Sequence, residues 1–252
     1  MAKVIAPFKI KGTLDDLNFV VTADGTNYVR TKGKTGVTAK AFKNNPIFDR
    51  IRDQSSDFGY CVKKSRIFRL LAAGFNKLAK DGSYAGRVNK LLLDILDEDT
   101  IEPRGKRTLV NGLKTNEGKE LLLLFESNKL RPLHQVLKIK EVVNPDERTI
   151  ILADFVAAKH LDWPEEATHV HLAMATANWD YENDSLDSCY SDVIPLDKES
   201  EQQMIALTTD KPAGNQLQLT FLFIGFAQQQ RKKLKFLHRK YNTATLMTYH
   251  TS

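Results

Sequence analysis

At 252 residues with 42% hydrophobic side chains, the chain is long enough for one large domain or two modest ones and too apolar for global disorder. Its two cysteines, Cys61 and Cys189, exclude a disulfide framework, and no run approaches the ~20 apolar residues of a membrane-spanning helix. The net charge of +6 is unevenly laid out: residues 1–140 carry 27 Lys and Arg against 15 Asp and Glu, residues 141–210 carry 3 against 16, and residues 211–252 carry 7 against none. An acidic block between two basic ones favours oriented association with an oppositely charged partner, another copy of the chain included. The opening Met1–Ile10 lacks the apolar core of a secretory signal. The expected location is the cytoplasm, with release inside an assembled particle left open.

In chain order, residues 1–36 read as an extended arm. Leu17–Thr22 and Thr26–Thr31 flank Asp24-Gly25, a hairpin signal, and an isolated hairpin needs a surface to dock on. Leu17, Phe19, Val21, Tyr28 and Arg30 are its candidate assembly residues. Residues 37–131 read as a basic helical region. Asn45-Pro46 is a helix start, and an apolar stripe runs from Ile47 through Phe58, Cys61, Phe68 and Phe75 to Leu78 before Asp81-Gly82 ends it. Ser83 caps a further helix with a buried face of Tyr84, Val88, Leu91, Leu92, Ile95 and Leu96, and another helix starts at Asn116.

From residue 132 to 252 the period shortens. Gln135–Val142, Arg148–Leu152, Thr168–Ala177, Cys189–Leu196, Gln203–Leu207, Leu217–Phe226 and Thr243–His250 read as strands; Arg231–Lys240 fits a basic hairpin or a short helix. About seven strands with short turns suggest an antiparallel β-sandwich, Ig-like or jelly-roll-like, so the fold class is α+β. Leu217–Phe226 is the central strand. It alternates to Thr220 and is then apolar apart from Gly225, as expected where both sheet faces are covered.

Few patterns carry chemistry. Gly33-Lys34-Thr35 resembles the end of a phosphate loop, but Tyr28 stands where its first glycine belongs. His169 and His171 share a strand face and are the metal candidates; no neighbouring Cys or His completes the set, and a plain strand surface is the alternative. Asp180, Glu182 and Asp184, with Asp187 beyond, have calcium-loop spacing, but Ser185 and Ser191 replace the required Gly and Glu. These acids read instead as a solvated loop or the acidic half of a subunit contact. There is no nucleophile elbow and no catalytic cysteine signature, so no catalytic residue, cofactor or small-molecule substrate is assigned. Arg50, Arg52, Lys63, Lys64, Arg66 and Arg69, followed by Lys77, Lys80, Arg87 and Lys90, could track a phosphate backbone or be a solvated face. Trp163, Trp179 and Tyr181 are either a carbohydrate platform or packing.

Phe8–Phe19, Asp24-Gly25, Tyr28–Arg30 and Lys32-Gly33 resemble the opening of a group of uncharacterised proteins common in Bacteroidota, and Trp163–Leu172 is similar to a strand entry in them. The resemblance implies no activity and no catalytic residue. The expected function is a non-enzymatic structural protein that self-associates into an oligomer, filament, shell or phage-like particle. Nucleic-acid binding by the basic helices is the first alternative and a ligand-binding sandwich the second.

Overall fold

The computed structural model describes residues 2–22, 24–33, 36–123, 125–231 and 233–251. The chain divides into two compact units, residues 1–49 and 50–252.

The first unit is a four-stranded antiparallel sheet, β1 (Ala2–Lys3), β2 (Gly12–Leu14), β3 (Leu17–Val21) and β4 (Asn27–Thr31), in the order β1-β4-β3-β2, followed by helix α1 (Ala39–Asn44) and a 3-10 turn, Pro46–Phe48. The expected hairpin is β3–β4, with Leu17 opposite Thr31 and Val21 opposite Asn27. Asp24 closes it by accepting from Thr22 Oγ1, Thr26 N and Thr26 Oγ1. Those bonds, the Thr22 hydroxyl first, hold its carboxyl down at about 2.

The second unit is mixed α+β with a curled antiparallel sheet. Its helices are α2 (Asp49–Phe68), which starts at the junction, then α3 (Ala73–Ala79), α4 (Tyr84–Asp97), α5 (Leu109–Gly112) and α6 (Asn116–Leu123). Two short turns follow, α7 (Leu133–Val136) and, later, α8 (Ala157–His160). A six-stranded sheet joins β12 (Lys233–Phe236), β11 (Leu217–Gln230), β7 (His169–Asp180) and β8 (Ser185–Tyr190), with β13 (Thr243–Thr251) on β11 and β9 (Ile194–Asp197) on β7. A three-stranded sheet joins β10 (Gln203–Thr208), β6 (Thr149–Phe155) and β5 (Val142–Asn144).

Alternation along β7 and β11 explains the layering. Ala173, Ala175, Ala177 and Trp179 with Leu217, Leu219, Phe221 and Phe223 face one core, shared with Phe68, Phe75, Leu92, Ile95 and Leu122 of the helices. The intervening Val170, Leu172, Met174, Leu222, Ile224 and Phe226 face a second core, shared with Ile150, Leu152, Phe155, Ile205 and Leu207 of the small sheet. Helices therefore cover one face of the large sheet and a second sheet covers the other. At Gly225 a Cβ would lie 2.4 Å from the Phe223 ring and 2.8 Å from that of Phe236, so the missing side chain makes room for both rings on that face.

Three elements differ from the sequence expectation. The long helical stripe breaks after Phe68: Ala72 adopts φ 47°, and buried Asn76 donates to the freed Leu71 carbonyl at 2.8 Å. Gln135–Val142 is not a strand. Pro132 starts α7 there, Leu137 makes only an isolated bridge to Leu161, and a strand begins at Val142. Cys189–Leu196 splits between β8 and β9, because Ser191 Oγ accepts from Met174 N and donates to the Asp192 carbonyl. The segment Arg231–Lys240 resolves as a hairpin onto β11, with Gln228 opposite Lys235.

Candidate functional site

In the N-terminal sheet, residues directly opposite one another share a face. Ala2, Leu14, Leu17, Phe19, Val21 and Val29 therefore lie on one side, and Lys3, Thr13, Asn18, Val20, Tyr28 and Arg30 on the other. The sequence-selected residues thus divide: Leu17, Phe19 and Val21 belong to the apolar face, Tyr28 and Arg30 to the mixed one. That apolar face is open at one end, with Leu14 65% and Leu17 41% exposed, while Phe19, Val21 and Val29 are half-buried. Among the described residues of this unit only Asn27 is buried, and its Oδ1 and Nδ2 have no hydrogen-bond partner. An orphaned buried amide beside a partly open apolar face is costly unless something else completes it.

The acidic loop closes the β7–β8 hairpin, and most of its carboxylates serve that turn or its neighbours. Asp180 accepts from Glu182 N and from Asn183 N and Nδ2; these bonds, those of Asn183 foremost, lower its pKa. Asp184 accepts from Lys64 Nζ at 2.6 Å, and Asp187 from Ala213 N at 2.6 Å. Glu182 is exposed, with only its backbone N–H engaged in that turn.

The sequence-selected cations scatter. Lys64 is buried and donates to the Tyr181 carbonyl as well as to Asp184, so it is withdrawn from any exposed basic face. Arg52 is half-buried and Lys63 exposed. Arg50 lines a 260 Å³ cavity with Gln54, Asp57, Leu93, Asp97, Arg104 and Arg107. Arg66 and Arg69 enter a different and larger one of 560 Å³, with Lys77, Lys80 and Arg239. Arg239 lies far off in sequence, and no local pattern could have grouped it with α2 and α3.

Comparison with protein-family models, with curated proteins and with solved structures finds no match.

The other sequence candidates sit in packed surroundings. His171 is half-buried with its ring edge 4.8 Å from Phe236, and burial, then the His169 charge, pushes its pKa down; His169 Nδ1 lies 2.8 Å from Thr168 Oγ1. Among the described residues no group of three or more His, Cys, Asp or Glu could hold a metal ion. Lys34 and Thr35 of the phosphate-loop match lie outside the described residues. Trp179 is fully buried against Phe68 and Tyr181, and Trp163 packs on Phe226 while donating to the Ala157 carbonyl, so neither is an open sugar platform. Burial raises both thiols, Cys61 up to about 12, and keeps them protonated at neutral pH. Among the described residues no helix is long and apolar enough to cross a membrane.

A third cavity, of 570 Å³, is lined by Glu126, His134, Lys138, Glu141 and Thr245 together with apolar side chains such as Leu133, Leu137 and Met247. Sequence reading gave no hint of it. Burial raises the Glu126 carboxyl above its usual range. Both of its oxygens are nonetheless engaged, by Leu133 N and Thr245 Oγ1, so it ties the helical layer to β13.

Proposed function

We propose that the chain is a non-enzymatic building block that associates with further copies of itself through the N-terminal sheet. The observation that carries the reading is the apolar face on which Leu14 and Leu17 are exposed and Phe19, Val21 and Val29 half-buried, beside the orphaned Asn27. Residues 50–252 contain two filled cores, so the exposed apolar surface is concentrated where the chain has no core of its own. In this reading a second copy covers the face, and a head-to-tail contact of that kind propagates into a ring or filament. The short edge strands β1 and β2 leave main-chain groups for a neighbour's strand. The stacked sheets of residues 50–252 are read as a sandwich carrying an added helical layer.

The test is light scattering of the wild type and of a Leu14→Lys, Leu17→Lys double variant at low and high salt. Wild type is expected as an oligomer that persists at high salt, because its contact is apolar, and the double variant as a monomer with unchanged circular dichroism. A monomeric wild type, or equal masses for the two proteins, overturns the reading. Loss of the fold in the double variant would instead place the face inside its own chain.

A further inference from the structure

The 560 Å³ groove is built from four stretches: Arg66, Arg69 and Leu70 at the end of α2; Asn76, Lys77 and Lys80 along α3 and its C-terminal cap; Asp81 and Tyr84 at the entry to α4; and Arg239 just before β13. Arg66, Lys77, Lys80 and Arg239 are exposed and Arg69 is half-buried, its Nε donating to the Ser65 carbonyl at 3.1 Å. Among the described residues a few cations of this unit meet carboxylates, Lys64 with Asp184, Arg107 with Asp97 and Arg131 with Asp162, while exposed ones such as Lys63, Lys90 and Lys114 do not; the groove cations are set apart by lining one concavity. Among the described residues none of the five groove cations has such a partner.

The one acid in the lining, Asp81, is already engaged. Its Oδ1 accepts from Ser83 N and Oγ, and its Oδ2 from Arg87 Nη2 at 2.7 Å and Lys129 N at 2.9 Å. Ion pairing with Arg87 leaves it little charge to offset the groove cations.

The floor is rigid. Asn76 Oδ1 accepts from Ser127 Oγ, Arg87 donates to the Glu126 and Ser127 carbonyls, and buried Asn128 donates to the Arg239, Lys240 and Asn242 carbonyls. Asn242 in turn donates to the Leu78 carbonyl and accepts from Phe226 N. This network fixes the backbone carrying Arg239 against the end of α3, so the ordering cost at binding is confined to the cations' own side chains.

We propose that this groove binds the phosphates of a nucleic-acid backbone. Several unpaired cations around a rigid concavity hold a field that a polyanion neutralises, with release of its counterions. Arg66 and Arg69 at the end of α2, and Lys77 and Lys80 at the end of α3, form two neighbouring pairs along the groove, which suits a repeating anion better than a single phosphate. No aromatic ring is exposed in the lining for a base to stack on; Tyr84 is buried, so recognition is of the backbone and independent of sequence.

The experiment is fluorescence anisotropy of a short labelled single-stranded oligonucleotide across a salt series. It compares wild type with an Arg66→Ala, Lys77→Ala, Lys80→Ala variant and with a control, Lys63→Ala, Lys90→Ala, Lys114→Ala, which removes the same charge from exposed positions outside the groove. The groove variant should show a log–log salt slope shallower by about 2, from about 0.7 per lost phosphate contact on a single strand. The control should keep the wild-type slope. Equal loss in both variants, or no binding by wild type, overturns the proposal. So does inorganic tripolyphosphate binding the groove where the oligonucleotide does not. Should the triple variant fail to fold, the single exposed reversal Lys77→Glu decides: weaker binding at unchanged melting temperature supports the groove, and unchanged binding sinks it.

Discussion

Phe68 is the side chain through which the helices and the large sheet should melt together. It is 2% exposed, with its ring 5.3 Å from Trp179 of β7 and 5.8 Å from Phe125, both edge-on. Phe68→Ala removes the burial of a whole ring, leaves a cavity that packed neighbours fill only in part, and deletes two aromatic contacts; together these cost about 4 kcal/mol. For a chain of this size that is about 8–16 °C in melting temperature, at about 2–4 °C per kcal/mol. The substitution is best made on a Trp179→Phe background, where Trp163 is the sole tryptophan and reports the opposite core, against Phe226. Helical circular dichroism and Trp163 fluorescence should then fall by the same amount, because both cores share strands β7 and β11. A drop in the helical signal alone, with the Trp163 transition unmoved, would refute a shared cooperative unit.

Two further outcomes follow from buried polar groups. The Glu126 carboxyl has a folded pKa above its unfolded value, chiefly through burial, with Thr245, Leu133, His134 and Arg87 acting the other way. Its protonated form is therefore favoured by folding: stability is full below about pH 4.5, the usual glutamate range, and declines as pH rises through the folded pKa. Melting curves of wild type and Glu126→Gln should diverge over that window, with the variant flatter, and parallel curves would show that Glu126 ionises freely. Asn128→Ala leaves three backbone carbonyls without its amide donor and should cost about 2–3 kcal/mol in urea unfolding at unchanged m value. A loss well under about 1 kcal/mol would mean that those carbonyls find other donors.

Elements held by one dominant local force were readable from the sequence. The six apolar residues assigned to the face of α4 are its six buried ones, because helical period and burial agree there. The apolar run of the central strand is buried on both faces of β11, and Asp24-Gly25 turns the β3–β4 hairpin. Elements decided by distant partners were not. Nothing near Ala72 announces a helix break; the break is stabilised by Asn76, whose own carbonyl oxygen is held by Ser127. The alternation over Gln135–Val142 mimics a strand although its first residues coil into α7. That the helices are not a separate body but one wall of the sheet's core lies in which face each side chain shares, and no single segment displays that.

Charge shows the same difference most clearly. Summed by segment, residues 141–210 are the acidic surface that a basic partner should meet. Taken pair by pair, much of that acidity is used within the fold: Asp162 meets Arg131, Asp180 and Asp187 cap backbone N–H groups, Asp184 meets buried Lys64, and Asp197 accepts from Glu199 N and Ser200 Oγ. Positive charge is left unmatched in the groove instead, where five cations face a single carboxylate already paired with Arg87. Two of those acids, Asp162 and Asp184, thus face cations of their own chain, and the proposed contact rests on the apolar face of the N-terminal sheet rather than on attraction between a basic and an acidic segment. The two surfaces then differ in their response to salt. Added salt screens the groove and weakens polyanion binding, while an apolar contact is left intact or strengthened, so one salt series reads the two surfaces independently.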